Sequence, residues 1–207
     1  MICLYPSDTA LIIRCQERDP AAFDEIVARY KQKIYGYICR MIGDTDEAED
    51  VTQDVFVKMY VAIPTFRSEA SISTWLFRIA GNLCIDRFRK RQRRQSAFGG
   101  DMLSLDAGLD SGAGRSDGSE VASVIDVPDM RSEPQSNLDQ VEMDAKITEA
   151  LGMLPEKLRA AIILHDIEGM EYEQIAQIEQ CPLGTVKSRL FNARMQMRKI
   201  LTPYLSE

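Results

Sequence analysis

Lys187, Ser188, Phe191, Asn192 and Arg194 are cationic, hydrogen-bonding and flat apolar groups on one side of a short segment near the C-terminus. Side chains of these kinds read base edges and phosphates in a DNA major groove. The other side of the segment carries Val186, Leu190, Ala193 and Met197 at helical spacing, a stripe that must be buried. Just upstream, Ile175, Ala176 and Ile178 supply the facing apolar surface of a second short helix. Glu173 to Arg194 therefore reads as a helix-turn-helix. The small Ala176 permits close approach, and the fixed φ of Pro182 suits the first turn of the second helix. Two positions fit less well. Gln180 stands where glycine is usual and is strained if its φ is positive. Glu171 stands where Ser, Thr or Asp would cap. By itself this pattern fits a plain helical hairpin as well as it fits DNA reading.

Other chemistry finds little support. Asp50 and Asp54 lie one helical turn apart, but no phosphate loop or further carboxylate cluster accompanies them, so neither metal nor catalytic residue is assigned. The single histidine, His165, reads as a helix-surface residue near a helix end. Cys3, Cys15, Cys39, Cys84 and Cys181 are scattered, odd in number and never spaced Cys-x-x-Cys. That favours reduced thiols in a cytoplasm over disulfides or zinc. No apolar run reaches about 18 residues, and no signal peptide opens the chain. No cofactor and no small-molecule substrate is expected.

A net charge of −7 over 207 residues looks wrong for a DNA binder until it is mapped. Arg87, Arg89, Lys90, Arg91, Arg93 and Arg94 form a block with no acid inside it. From Asp101 to Glu149, twelve acids face only Arg115, Arg131 and Lys146. Phosphate contact depends on the local patch rather than on the sum.

The elements around these groups are helical throughout. Phe23, Ile26, Val27, Tyr30, Ile34, Tyr37, Ile38 and Met41 keep one face, which Gly43 ends. Asp44-Thr-Asp-Glu opens the next helix with acids at its positive end. Val51, Val55 and Met59 follow on its buried side until Pro64 stops it. A loop from Thr65 to Ile72 leads to a third helix with Trp75, Leu76, Ile79, Ala80, Leu83 and Phe88, Trp75 being a core residue. Between 96 and 136, Gly, Ser, Asp and Pro replace the periodic pattern, as in a flexible acidic linker. The expected fold is all-α, with small helical domains at 1–95 and 137–207 on either side of that linker.

Several motifs in order resemble a known family. Asp44 to Lys58 resembles the core-binding helix of bacterial sigma factors. Phe66-Arg67 with Ser73 to Arg87 is similar to their promoter-melting region. Leu154-Pro-Glu-Lys-Leu-Arg159 and Pro182 to Leu190 are similar to their fourth region. The two-domain layout resembles the extracytoplasmic-function (ECF) group of the sigma-70 family.

That resemblance implies an alternative sigma factor, not an enzyme, directing RNA polymerase to promoters and assisting DNA melting. It implies that Asp44, Glu47, Asp50, Gln53, Asp54 and Lys58 dock on the largest polymerase subunit. Arg67, Ser73, Thr74, Arg78, Asn82, Asp86, Arg87, Arg89 and Lys90 would meet the minus-ten element and its opened strand. Thr185, Lys187, Ser188, Arg189, Phe191, Asn192 and Arg194 would meet the minus-thirty-five element, Arg189 and Arg194 holding phosphates or bracing neighbours. Asn192 departs from the arginine frequent at its place. The partners implied are core RNA polymerase, promoter DNA and a cognate anti-sigma factor, in the cytoplasm. The rival reading is a one-component or response-regulator helix-turn-helix transcription factor, which would bind duplex alone as a dimer.

Overall fold

Helix limits follow from caps at both ends. The structure is a computed structural model that describes residues 6–66, 71–97 and 134–204. Helix α1 (Asp8–Gln16) starts on Ser7, whose Oγ accepts from the Ala10 N–H. Asp19 caps α2 (Pro20–Ile42) by accepting from Ala21, and the α2 proline stands where a missing N–H costs nothing. Gly43 ends α2 at φ 77°, its N–H donating to the Cys39 carbonyl. Asp44 caps α3 (Thr45–Ala62) by accepting from Glu47 at 3.0 Å, and a short 3-10 turn holding Pro64 closes that helix. Ser71 Oγ accepts from the Thr74 N–H at the start of α4 (Ile72–Ala97).

The α1–α4 core is the interleaving of their apolar stripes. Ile26, Ile34, Tyr37, Ile38 and Met41 of α2 meet Val51, Val55 and Met59 of α3 and Leu76, Ala80, Leu83 and Cys84 of α4. Trp75 is buried and lies against Phe66 with ring centroids 4.5 Å apart, so it packs rather than binds. Helix α1 is tied on by Asp8, which accepts from Arg29 at 2.6 Å and from the Tyr30 hydroxyl at 2.5 Å.

In the second half, α5 (Pro134–Gly152) leads to α6 (Glu156–Ile162) through Pro155 and α6 continues into a π turn, Ile163–Ile167. The hairpin is α7 (Tyr172–Glu179) and α8 (Leu183–Leu201). Val186, Leu190, Ala193 and Met197 are buried, as are Ile175 and Ile178. Two local readings change. Pro182 is the N-cap residue of α8 rather than part of its first turn. His165 is half-buried, its Nδ1 lying 2.8 Å from the Met170 carbonyl and its ring against Tyr172, so it clasps the turn instead of standing free on the surface. Glu171 proves an adequate start, because the Gln174 side chain reaches back to accept from its N–H at 3.0 Å.

Gln180 takes the strained conformation, with φ 50° and ψ 47°. A left-handed residue with a Cβ costs about 1–2 kcal/mol, so Gln180→Gly is expected to stabilise the hairpin by roughly 1 kcal/mol. Thermal unfolding checks this, and an unchanged or lower midpoint would contradict it.

Every regular element among the described residues is helical. The two halves do not stand apart: α2 packs on α5 and α6, and α4 packs on α7. Of the flexible linker expected over 96–136, residues 96–97 belong to α4 and 134–136 to α5, so the helices run further at both ends than expected, and residues 98–133 lie outside the described residues.

Candidate nucleic-acid and polymerase interfaces

Burying the α8 stripe forces the opposite side outward. Lys187, Ser188, Phe191 and Asn192 are exposed, with Phe191 66% exposed. Such exposure of a phenyl ring costs solvation free energy unless something flat covers it. Met195, one turn beyond Phe191, is also exposed and extends the apolar strip. The four-residue spacing could have revealed it from sequence. Ser188 Oγ donates to the Thr185 carbonyl at 3.0 Å, and Thr185 is half-buried at the helix start.

Arg189 and Arg194 do not point freely outward. Arg189 pairs at 3.0 Å with Glu179, a deeply buried carboxylate. Burial pushes the Glu179 carboxyl above its usual range, while Arg189 pulls it back. Arg194 makes a two-pronged bond to Asp166, at 3.1 Å from Nε and 2.5 Å from Nη2. Both arginines brace the hairpin in this conformation.

On α4, Arg78, Asn82 and Asp86 follow at four-residue steps along one side. Asn82 and Asp86 are exposed, and Ser73 and Arg78 are half-buried. Asn82 presents both a donor and an acceptor to whatever lies alongside. Thr74 differs from expectation. It is 3% exposed, with its hydroxyl 2.8 Å from Ser71 Oγ, so it secures the helix start and does not reach the surface. Arg67 lies outside the described residues.

The basic block needs a larger correction. Acids of α3 lie across from it: Arg87 pairs with Asp54 at 3.1 Å and Glu47 at 3.7 Å, and Arg91 bonds to Glu47 and lies 3.7 Å from Asp44. Arg89 lies 3.9 Å from Asp86. Arg87 and Arg91 are therefore turned toward α3. Lys90, Arg93 and Arg94 are exposed on the same helix end and are better placed for phosphate contact.

The α3 set divides for the same reason. Asp44 caps, and Glu47 and Asp54 face α4, whereas Asp50, Gln53 and Lys58 are exposed. Asp50 and Gln53 continue at helical spacing into Val57, Tyr60 and Val61, all more than 60% exposed. Tyr60 rests edge-on against Phe23 at 5.2 Å. This half-polar, half-apolar outer face was missed in sequence, where attention to charge passed over the apolar residues off the buried stripe.

Comparison with known proteins gives these surfaces a class. Residues 26–94 match the family model described as Sigma-70 region 2, and residues 144–197 match Sigma-70, region 4. The RNA polymerase sigma-H factor of Pseudomonas aeruginosa is 38% identical over 200 residues, covering 97% of this chain and 96% of that protein. The ECF RNA polymerase sigma factor SigW of Bacillus subtilis is 35% identical, covering 92% of this chain and 94% of its own. Among solved structures, the sigma factor RpoE in complex with the anti-sigma factor NepR from Bartonella quintana superposes with a TM-score of 0.61 at 25% identity. That match covers 87% of this chain and 96% of that one. The chain belongs to the sigma-70 family, within its ECF group, and is an alternative sigma factor. Among the described residues no helix is long and apolar enough to cross a membrane.

Proposed function

We propose that the chain binds core RNA polymerase through the exposed face of α3, reads the minus-thirty-five duplex with α8, and holds the opened minus-ten strand along α4. The unit at 1–95 supplies core binding and melting, the unit at 137–207 supplies duplex recognition, and 96–136 connects them. The observation that carries this reading is the separation of three outward faces from one buried core. Asp50, Gln53, Val57, Tyr60 and Val61 form the first, Arg78, Asn82 and Asp86 the second, and Lys187, Ser188, Phe191 and Asn192 the third. Phosphodiester chemistry belongs to the polymerase, and this chain works as a cytoplasmic, non-catalytic specificity subunit. Control by a cognate anti-sigma factor is supported by the fold it shares with RpoE bound to NepR.

Core binding tests the assignment. Asp50→Ala combined with Gln53→Ala is expected to weaken affinity for core by about 1–2 kcal/mol, roughly five- to thirtyfold. Surface truncations should leave the thermal midpoint nearly unchanged. A double variant that competes for core as well as the parent does would exclude this part of α3 as the docking face.

A further inference from the structure

Helix α1 has a place in none of the three outward faces, and the Sigma-70 region 2 match begins at residue 26, after this helix has ended. It is nevertheless fixed at both ends. Leu11, Ile12 and Cys15 bury its inner side. At its start, Asp8 accepts from Arg29 at 2.6 Å and from the Tyr30 hydroxyl at 2.5 Å, which ties it to α2. At its other end Gln16 reaches a different element. Gln16 Nε2 donates to the Ile63 carbonyl at 3.2 Å and to the Phe66 carbonyl at 2.9 Å, 47 and 50 residues along the chain.

These two carbonyls stand where the chain leaves α3. Ile63–Thr65 is the 3-10 turn that closes that helix, and Phe66 is extended, with φ −65° and ψ 123°. The Ile63 carbonyl also accepts from the Phe66 N–H at 3.1 Å. One side-chain amide therefore spans the last turn and the first extended residue. The Phe66 ring is held from another side, its centroid 4.5 Å from that of Trp75, which is buried in the first turn of α4. Only four residues separate Phe66 from Ser71, whose Oγ accepts from the Thr74 N–H at the start of α4. A chain of contacts thus runs from Gln16 through Phe66 and Trp75 into α4, the helix that carries Ser73, Arg78 and Asn82.

Helix ends leave carbonyls without a helical donor, and satisfying two of them is the ordinary role for such an amide. That role is weak here. Gln16 is exposed and its bond to Phe66 lies at the surface, so water can replace it with little loss of stability. What water cannot supply is a fixed direction for the chain as it leaves α3.

We propose that Gln16 is a positioning residue for strand opening: its amide sets the exit of the chain from α3 and, through the contact of Phe66 with Trp75, the placement of α4 against the opened strand. The inference rests on the reading of α4 as the melting face given above. A misplacement of about 1 Å in a positioned group can cost as much as a hundredfold in rate. The effect therefore falls on opening rather than on folding.

Gln16→Met and Gln16→Glu test this. Both keep the length of the side chain, neither donates to a carbonyl when the glutamate is ionised, and the pair separates loss of the donor from a change of charge. Each full-length variant is combined with core polymerase on a promoter from which the parent starts transcripts, and opening is timed by permanganate reactivity of unpaired thymines. Both variants are expected to open the duplex roughly tenfold more slowly than the parent. A template already opened around the start site should restore most of the loss. The thermal midpoint should move by less than about 2 °C and affinity for core should stay the same, whereas a merely structural role would lower both. Opening at the parent's rate by both variants overturns the proposal. So does a loss of thermal midpoint and core affinity in both, which would make Gln16 a stabilising residue only; if one variant alone loses them, the other decides. Asn82→Ala is measured beside them. If it opens the duplex at the parent's rate while both Gln16 variants are slow, the assignment of Asn82 and its face of α4 to the opened strand fails and the role of Gln16 in opening stands.

Discussion

Truncating Leu190 to alanine is expected to destabilise the C-terminal unit by about 2–5 kcal/mol, the range for emptying a packed leucine site. Leu190 is 2% exposed, on the α8 face that packs against α6 and α7. A unit of about 70 residues has roughly 4–10 kcal/mol in total, so the loss approaches its whole stability. Urea unfolding followed by circular dichroism should show a much earlier transition for the α5–α8 signal. Binding to the minus-thirty-five duplex would fall with it. The neighbouring control is Phe191→Ala, an exposed position where stability should change by no more than about 0.5 kcal/mol while promoter recruitment drops. A Leu190→Ala loss under about 1 kcal/mol would mean that the stripe is not packed as described.

Lys187→Ala is expected to weaken recruitment of the core-bound protein to a promoter by about 1–3 kcal/mol if the lysine reads a base. If it meets only a phosphate, the salt slope should fall by about one instead. Asn82→Ala should leave upstream duplex binding largely intact and impair open-complex formation. The two effects separate on two templates, one fully duplex and one pre-opened around the start site. Pre-opening should restore much of the Asn82→Ala defect and none of the Lys187→Ala defect. Equal losses for both variants on both templates would show that α4 and α8 do not divide the work in this way.

How much of this was legible in the chain depended on how local the cause was. Gly43, Asp44 and Pro64 act within a few residues of themselves, and the helix ends fall where those residues predicted. The α8 stripe was legible because Val186, Leu190, Ala193 and Met197 repeat with the helix. Long-range pairing was not. Nothing in the run Arg87 to Arg94 says that Glu47 and Asp54, more than thirty residues earlier, would turn Arg87 and Arg91 inward. The resemblance places Thr74 among the minus-ten residues, yet its contact with Ser71 takes it into the helix start. The outer face of α3 was half legible: the resemblance points to Asp50 and Gln53, while Val57, Tyr60 and Val61 fall off the Val51, Val55 and Met59 stripe and only the fold shows them exposed beside those residues. The docking of the two halves was invisible for a related reason. Arg159 stands in the sequence only as the end of the Leu154–Arg159 motif, and the fold alone brings it to the end of α2.

The central claim is that this chain lends promoter specificity to a polymerase rather than acting on DNA alone. Transcription in vitro tests it most directly, using core RNA polymerase from the same cells and a library of genomic fragments as templates. The account predicts discrete transcripts with defined start sites that appear only when the chain is added, together with weak duplex binding by the chain without core. Tight, dimeric binding of the free chain to duplex, with no start site gained by core from any fragment, would contradict it.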